Sequence, residues 1–146
     1  MAAPAIHILN GPNLDMLGIR EPEIYGKTTL SDIESWCRAA AQGPLEFHQS
    51  NHEGEIVERL HAARGVAAGV IINPAGYSFT SIAILDALKI YDGPIIELHI
   101  SNIHARDELH RHSILSSVAT AVIAGLGARG YVTALQAMYD LIETRS

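Results

Sequence analysis

Arg20 and Tyr25 are the first residues along the chain whose types and spacing offer chemistry. They share the stretch Asn10-Gly-Pro-Asn-Leu-Asp-Met-Leu-Gly-Ile-Arg-Glu-Pro-Glu-Ile-Tyr-Gly26. A phenol titrates near ~10 and is a poor base at neutral pH. A guanidinium close by favours the phenolate. A curled loop could bring the two together. Equally, Arg20 could pair with Glu21 or Glu23 and leave the Tyr25 ring to pack.

His99 ends an apolar run and could donate a proton to a departing hydroxide. The alternative is a core histidine bonded to a carbonyl. Ser101 and the backbone N–H groups around Ile100 could receive a carboxylate, or Ser101 could be a simple cap. Asn73, between Ile72 and Pro74, is expected to point into a crevice, where it could hold a carbonyl or a water, or instead bond its own turn. Asn13 could hold a carbonyl or a water, or bond its own turn. His104, Glu108, His110 and His112 lack the spacing of a zinc motif, so no metal is expected. Lys27 in a loop and Lys89 on a polar helix face do not suggest Schiff-base chemistry.

Five short apolar runs, at 6–9, 45–48, 69–72, 95–99 and 118–124, alternate with helical patterns and must position these groups. Helices are expected over 29–42, 54–64, 80–90 and 129–143, with a short polar segment at 105–112. Ser31-Asp-Ile-Glu34 has the form of a capping box. Gly43-Pro44 and Gly93-Pro94 mark helix-to-strand returns. In the last helix Val132, Leu135, Met138, Tyr139 and Ile142 form the expected core face. The alternation implies an α/β three-layer sandwich with a parallel sheet and right-handed crossovers. Ligands bind such sheets beyond the carboxyl ends of the strands. The loops at 10–25, 49–54, 73–76 and 99–102 should therefore open on one edge. The first is long for a strand-to-helix connection with no element of its own, as functional loops often are. Leu14, Met16, Leu17, Ile19, Ile24 and Tyr25 are available to tie it down.

Composition narrows the partners. The chain of 146 residues, 48% hydrophobic and 18% charged, fits one domain spanning 1–146 with a sizeable core. A net charge of −6 without a basic cluster argues against nucleic acid. Cys37, the single cysteine, excludes an intrachain disulfide and a cysteine-rich zinc site and reads as a small buried hydrophobe. With neither a signal segment nor a bilayer-length apolar run, a soluble cytoplasmic protein is expected. The usual nucleotide-binding glycine motif is missing after the first apolar run, and 125–130 reads as a glycine-rich turn packing the last helix.

The loop motif Asn10-Gly-Pro-Asn-Leu-x-x-Leu-Gly-x-Arg-Glu-Pro-x-x-Tyr-Gly26 resembles that of the type II 3-dehydroquinate dehydratases. So do Gln49-Ser-Asn-His-Glu-Gly-Glu55, Asn73-Pro74, Asp86-Ala87 and Glu97-x-His-Ile-Ser-Asn-x-His-Ala-Arg106. The resemblance covers nearly the whole chain. It implies a flavodoxin-like fold with a five-stranded parallel sheet, no cofactor, and a carbon–oxygen lyase of the shikimate or quinate pathway acting on a small molecule. Under it, Tyr25 resembles the base that removes the proton alpha to the ketone, and Arg20 the cation that lowers its pKa. Asn13 resembles the residue that steadies the enolate through an ordered water. His99 resembles the acid that protonates the leaving hydroxyl, giving 3-dehydroshikimate by anti elimination. Asn73, Ile100 and Ser101 map onto the carboxylate site. Arg106 maps onto a mobile lid, and Asp86 onto a residue reaching a neighbouring subunit. The resemblance also implies a homododecamer built from trimers.

Two positions depart from the family pattern. Phe79 stands where a histidine is usual, and His110 where an arginine is usual, both against the ring hydroxyls. Arg111, one position along, could supply the missing arginine. Besides ordinary dehydratase activity, this leaves a paralogue acting on a related ring acid, or a flavodoxin-like binding module without turnover.

Overall fold

The computed structural model describes residues 3–19 and 22–145, apart from the side chains of Ile24 and Tyr25. Five parallel strands form one sheet: β1 (Ile6–Asn10), β2 (Leu45–Gln49), β3 (Gly69–Asn73), β4 (Ile95–His99) and β5 (Ala121–Ala124). Their order is β2-β1-β3-β4-β5. A single turn of helix, α1 (Pro22–Tyr25), precedes α2 (Leu30–Ala40). Helices α2 and α5 (Gly130–Arg145) cover one face of the sheet, and α3 (Glu53–Ala63) and α4 (Ile82–Ile90) the other.

Alternation along each strand divides the core in two. Ile6, Ile8, Ile71, Ile96 and Leu98 meet Ile33, Cys37, Leu135 and Met138 on one face. Leu9, Val70, Ile72 and Ile95 meet Ile56, Leu60, Ile84 and Leu88 on the other. Because both faces are covered, β1, β3 and β4 are buried throughout, and their sequences read as continuous apolar runs. Cys37 is fully buried in the first cluster, and desolvation pushes its thiol up to about 11. Chemistry at that sulfur is thereby disfavoured.

Three local expectations change. The capping box is formed by Thr29 and Asp32, two residues earlier than Ser31 and Glu34. Asp32 N–H donates to Thr29 Oγ1 at 3.1 Å, and Thr29 N–H donates to Asp32 Oδ2 at 3.0 Å. Glu34 instead pairs with Arg38 across one turn at 2.9 Å. The run at 118–124 pairs as a strand only from Ala121, since Ser116–Val118 closes as a 3-10 turn. The first loop is not devoid of structure: it contains a 3-10 turn at Leu14–Met16 and then α1. Pro22 opens α1 where its missing N–H and fixed φ suit a first helical position. Gly26 closes it with φ 77°, its N–H bonded to the Pro22 carbonyl at 2.8 Å.

Of the six side chains expected to tie that loop down, Leu14 and Leu17 join the core, whereas Met16 and Ile19 are exposed. The other two, Ile24 and Tyr25, lie outside the described side chains. Among the described residues, no helix is long and apolar enough to cross a membrane.

Candidate active site

At the carboxyl edge of the sheet, the last residues of three adjacent strands align in register as a row of amides: Gln49, Asn10 and Asn73. Each is committed to the scaffold. Asn10 Nδ2 donates to the His48 carbonyl at 3.0 Å, and Asn10 Oδ1 accepts from the Tyr131 hydroxyl at 2.7 Å. The same hydroxyl accepts from Asn73 Nδ2 at 2.9 Å, while Asn73 Oδ1 accepts from Ala75 N–H at 3.2 Å. Asn73 therefore lines the cleft, as expected, with its amide bonded both to its own turn at Ala75 and to Tyr131. Tyr131 is fully buried in α5, and desolvation holds its phenol well above the ordinary range. It is a structural hydroxyl tying β1 to β3.

Gln49 Nε2 donates to the Gly11 carbonyl and to Asn51 Oδ1, both at 3.2 Å. Asn51 Oδ1 also accepts from Asn13 N–H at 2.9 Å. That bond helps hold Asn13 at φ 69°, a left-handed conformation that asparagine tolerates better than most residues. The loop after β2 thus shapes the first loop without lining the cleft itself. Gly11 is required where the first loop passes the loop after β3, because a Cβ there would overlap the Pro74 carbonyl.

The cleft encloses about 850 Å³ of empty space, its open mouth included. Its walls are Pro12, Asn13, Leu14, Met16 and Leu17 after β1, and Asn73, Ala75, Gly76 and Phe79 after β3. His99, Ile100, Ser101, Ile103, Arg106 and His110 come from the end of β4 and beyond. Among the described residues lining it none is acidic, while Arg106 and two histidines face it. Arg106 is the one permanent cation among these residues and can meet a small anion entering the cleft.

His99 is 4% exposed, and its Nε2 is hydrogen-bonded to Glu97 Oε2. The two lie on one side of β4 because side chains two apart share a face. Glu97 Oε1 accepts from Ser116 Oγ at 2.7 Å. Burial alone would raise the Glu97 carboxyl. Hydrogen bonds from His99, Ser116 and Ser113 outweigh that penalty and hold it below the ordinary range. An ionised carboxylate only accepts, so Nε2 carries a proton and Nδ1 is the ring nitrogen left for a ligand. The sequence signal for Glu97 is a lone carboxylate inside an apolar strand, two residues before the histidine; sequence reasoning assigned it no role.

The turn beyond His99 is pinned from β5. Gly125 N–H donates to the His99 carbonyl at 3.3 Å, and Gly127 N–H to the Ile100 carbonyl at 3.0 Å. Both glycines have positive φ, at 91° and 71°. The glycine-rich stretch at 125–130 therefore holds Ile100 and Ser101 in place, besides leading into α5.

Farther along the wall, Phe79 and His110 meet edge-to-face with ring centroids 5.6 Å apart. Arg111 does not line the cleft. Its guanidinium turns to Glu108, so the expectation that it stands in for an arginine at position 110 is corrected. Asp86 is exposed on α4, away from the cleft lining. His112 bonds Glu108 at 3.0 Å, but the described residues form no group of three or more potential metal ligands. Arg20 lies outside the described residues, and the position of the Tyr25 ring lies outside the described side chains.

A doubly wound parallel sheet of order 2-1-3-4-5, with its cleft beside the β1/β3 switch point, defines a flavodoxin-like α/β protein. Residues 4–139 match the profile of the family described as dehydroquinase class II. The chain belongs to that family. It is 53% identical over 148 aligned positions to a 3-dehydroquinate dehydratase of Streptomyces avermitilis, covering 99% of this chain and 93% of that protein. It is 47% identical to 3-dehydroquinate dehydratase 2 of Pseudomonas putida, covering 98% of each. The crystal structure of the type II dehydroquinase from Propionibacterium acnes superposes with a TM-score of 0.91 at 42% identity, covering 95% of this chain and 98% of that one.

Proposed function

We propose that this chain removes water from 3-dehydroquinate by anti elimination through an enolate, giving 3-dehydroshikimate. The observation that carries the reading is the chain of hydrogen bonds from Ser116 through Glu97 to His99 at a cleft with no acidic residue among its described lining residues. Loss of water from a β-hydroxy ketone needs a base for the proton alpha to the carbonyl, a donor for the oxyanion and an acid for the hydroxyl. Tyr25, held as phenolate by Arg20, takes the alpha proton. Asn13, turned into the cleft by Asn51, steadies the enolate oxygen through a water. His99 passes a proton from Nδ1 to the leaving hydroxyl while Glu97 accepts at Nε2, so the ring finishes neutral with its Nε2–H in place.

Ser101, the backbone at Ile100 and the Asn73 segment receive the substrate carboxylate. Arg106 covers it from the β4 side of the cleft. The reaction has no net redox change, and side chains supply both proton transfers, so no cofactor is invoked. In the assembly we infer, a homododecamer built from trimers, Asp86 reaches the site of a neighbouring subunit, which accounts for its exposure here. The setting proposed is the cytoplasmic shikimate or quinate pathway.

Mixing the protein with 3-dehydroquinate and following the enone absorbance of the product tests this. Turnover by the native chain, abolished in Tyr25→Phe, is the expected result. No turnover by a folded oligomer refutes it, and binding without turnover would leave a flavodoxin-like binding module. The contact between Phe79 and His110 favours one second reading, a paralogue for a related ring acid. Activity on 3-dehydroquinate that emerges only after F79H plus H110R would establish that reading instead.

A further inference from the structure

The stretch Gly125-Leu-Gly-Ala-Arg-Gly130 pins the turn after His99, yet its own sequence gives it little to hold on with. Gly125 and Gly127 carry no side chain and sit at positive φ, and Leu126 is 55% exposed. Arg129 supplies a tie. Its guanidinium lies over the indole of Trp36, 3.9 Å from the ring centroid. Trp36 is half-buried on α2 and packs against the first core cluster, so its ring is a fixed platform. A cation directly before a helix opposes the macrodipole, whose amino end is positive. An arginine just ahead of α5 therefore needs a compensating partner, and the face of an indole is the best aromatic one for a cation.

Arg129 stands midway between two groups that shape the proposed carboxylate site. On one side of it, Gly127 N–H donates to the Ile100 carbonyl at 3.0 Å. On the other, the Tyr131 hydroxyl accepts from Asn73 Nδ2 at 2.9 Å. The segment between closes on itself: Gly130 N–H bonds the Gly127 carbonyl and Val132 N–H the Arg129 carbonyl, both at 3.1 Å. A shift of Arg129 is therefore passed to Ile100 and Ser101 in one direction and to Asn73 in the other. We propose that Arg129, stacked on Trp36, is a positioning residue for the turn that receives the carboxylate of the ring acid. The pair fixes the start of α5 against α2 and so sets the separation of Ser101 from Asn73. The inference rests on the carboxylate placement in the dehydratase reading above, and the measurements separate the two.

Arg129→Ala, Arg129→Lys, Trp36→Leu and Trp36→Phe are compared with the native chain in steady-state kinetics on 3-dehydroquinate. Calorimetry adds the dissociation constants of 3-dehydroshikimate and of its primary amide, which lacks the negative charge. Arg129→Ala and Trp36→Leu should each raise KM and the acid's dissociation constant about three- to tenfold, while kcat and amide binding stay within about twofold. Arg129→Lys keeps a cation and Trp36→Phe a ring, so each should recover part of the loss. The Ala/Leu double variant should be no weaker than either single one. Should Trp36→Leu not fold, the same coupling is read between Arg129→Ala and Trp36→Phe. An unchanged KM in folded Arg129→Ala, equal weakening of acid and amide, or losses that add in the double variant overturn the inference while leaving dehydration intact. Weakening by Arg129→Ala alone, with both Trp36 variants like the native chain, also overturns it, because charge would then act without the stack. Selective weakening of the acid in a chain without turnover overturns dehydration alone. Absence of binding by either ring acid to the native chain overturns both.

Discussion

Replacing Glu97 with glutamine tests whether the buried carboxylate drives the acid step or merely fills space. Glutamine keeps the size of the side chain and can still accept from His99 Nε2 through its carbonyl. The substitution removes the negative charge beside a ring that must be positive before it can release a proton from Nδ1. A hydrogen bond to a charged group contributes about 1–2 kcal/mol more than a neutral one. At an effective dielectric near 20 and about 4 Å between charge centres, the Coulomb attraction is about 4 kcal/mol. The two figures bracket the loss at roughly 1–4 kcal/mol, so kcat should fall about 5- to 10³-fold. KM for 3-dehydroquinate should change little, because Glu97 is 1% exposed and does not line the cleft. Steady-state rates should be read for E97Q, H99Q and the double variant. If Glu97 acts only through His99, the double variant is no slower than H99Q. A kcat for folded E97Q within twofold of the native value, or losses that simply add, would refute the relay.

Tyr131→Phe removes the donor to Asn10 Oδ1 and the acceptor of Asn73 Nδ2 in one step. Two stranded buried polar atoms should cost about 2–4 kcal/mol, a fall in Tm of roughly 6–12 °C by calorimetry at fixed protein concentration. Because Glu97 is held below its ordinary value, its contribution to stability is present above about pH 4.3 and lost as pH falls through the lower folded value. The Tm gap between native chain and E97Q should therefore shrink on acidification, and a gap constant with pH contradicts the assignment. Asn51→Ala takes away the oxygen that accepts from Asn13 N–H, and kcat/KM should fall about tenfold with less than about 1 kcal/mol lost on denaturant unfolding.

The sheet is legible in the sequence because β1, β3 and β4 are buried on both faces, so their apolar runs define the layer they occupy. Topology alone assigns strand-end residues to one edge, and Asn13, Phe79, His99, Ser101 and His110 do line one cleft. What a single strand cannot reveal is where a polar side chain turns once its neighbours arrive. Asn73 reads in sequence as a residue at the crevice and does line the cleft, but its partner Tyr131 lies 58 residues later on α5, outside the core face expected of that helix. Arg111 reads as a substitute for its neighbour, but a tight turn brings Glu108 within its reach first. The capping box sits two residues early because Thr29 and Asp32 offer the same reciprocal geometry as Ser31 and Glu34.

These outcomes divide the cleft into two kinds of wall. His99 and the turn after it stand on a fully buried strand, clamped by Glu97 and Ser116 beneath and by Gly125 and Gly127 alongside. Moving His99 means unpairing a carboxylate that is 1% exposed, so changes there should cost stability and activity together. The segment carrying Arg106, His110 and Arg111 consists of short 3-10 turns capped by side chains at Asn102 and Asp107, and Leu109 within it is 79% exposed. Substitutions on such a surface usually alter stability by only a fraction of a kcal/mol. His110 could therefore replace an arginine without disturbing the proton-transfer wall. In the dehydration proposed above, different backbone segments hold the acid at His99 and the wall around His110, so the second can change while the first is kept.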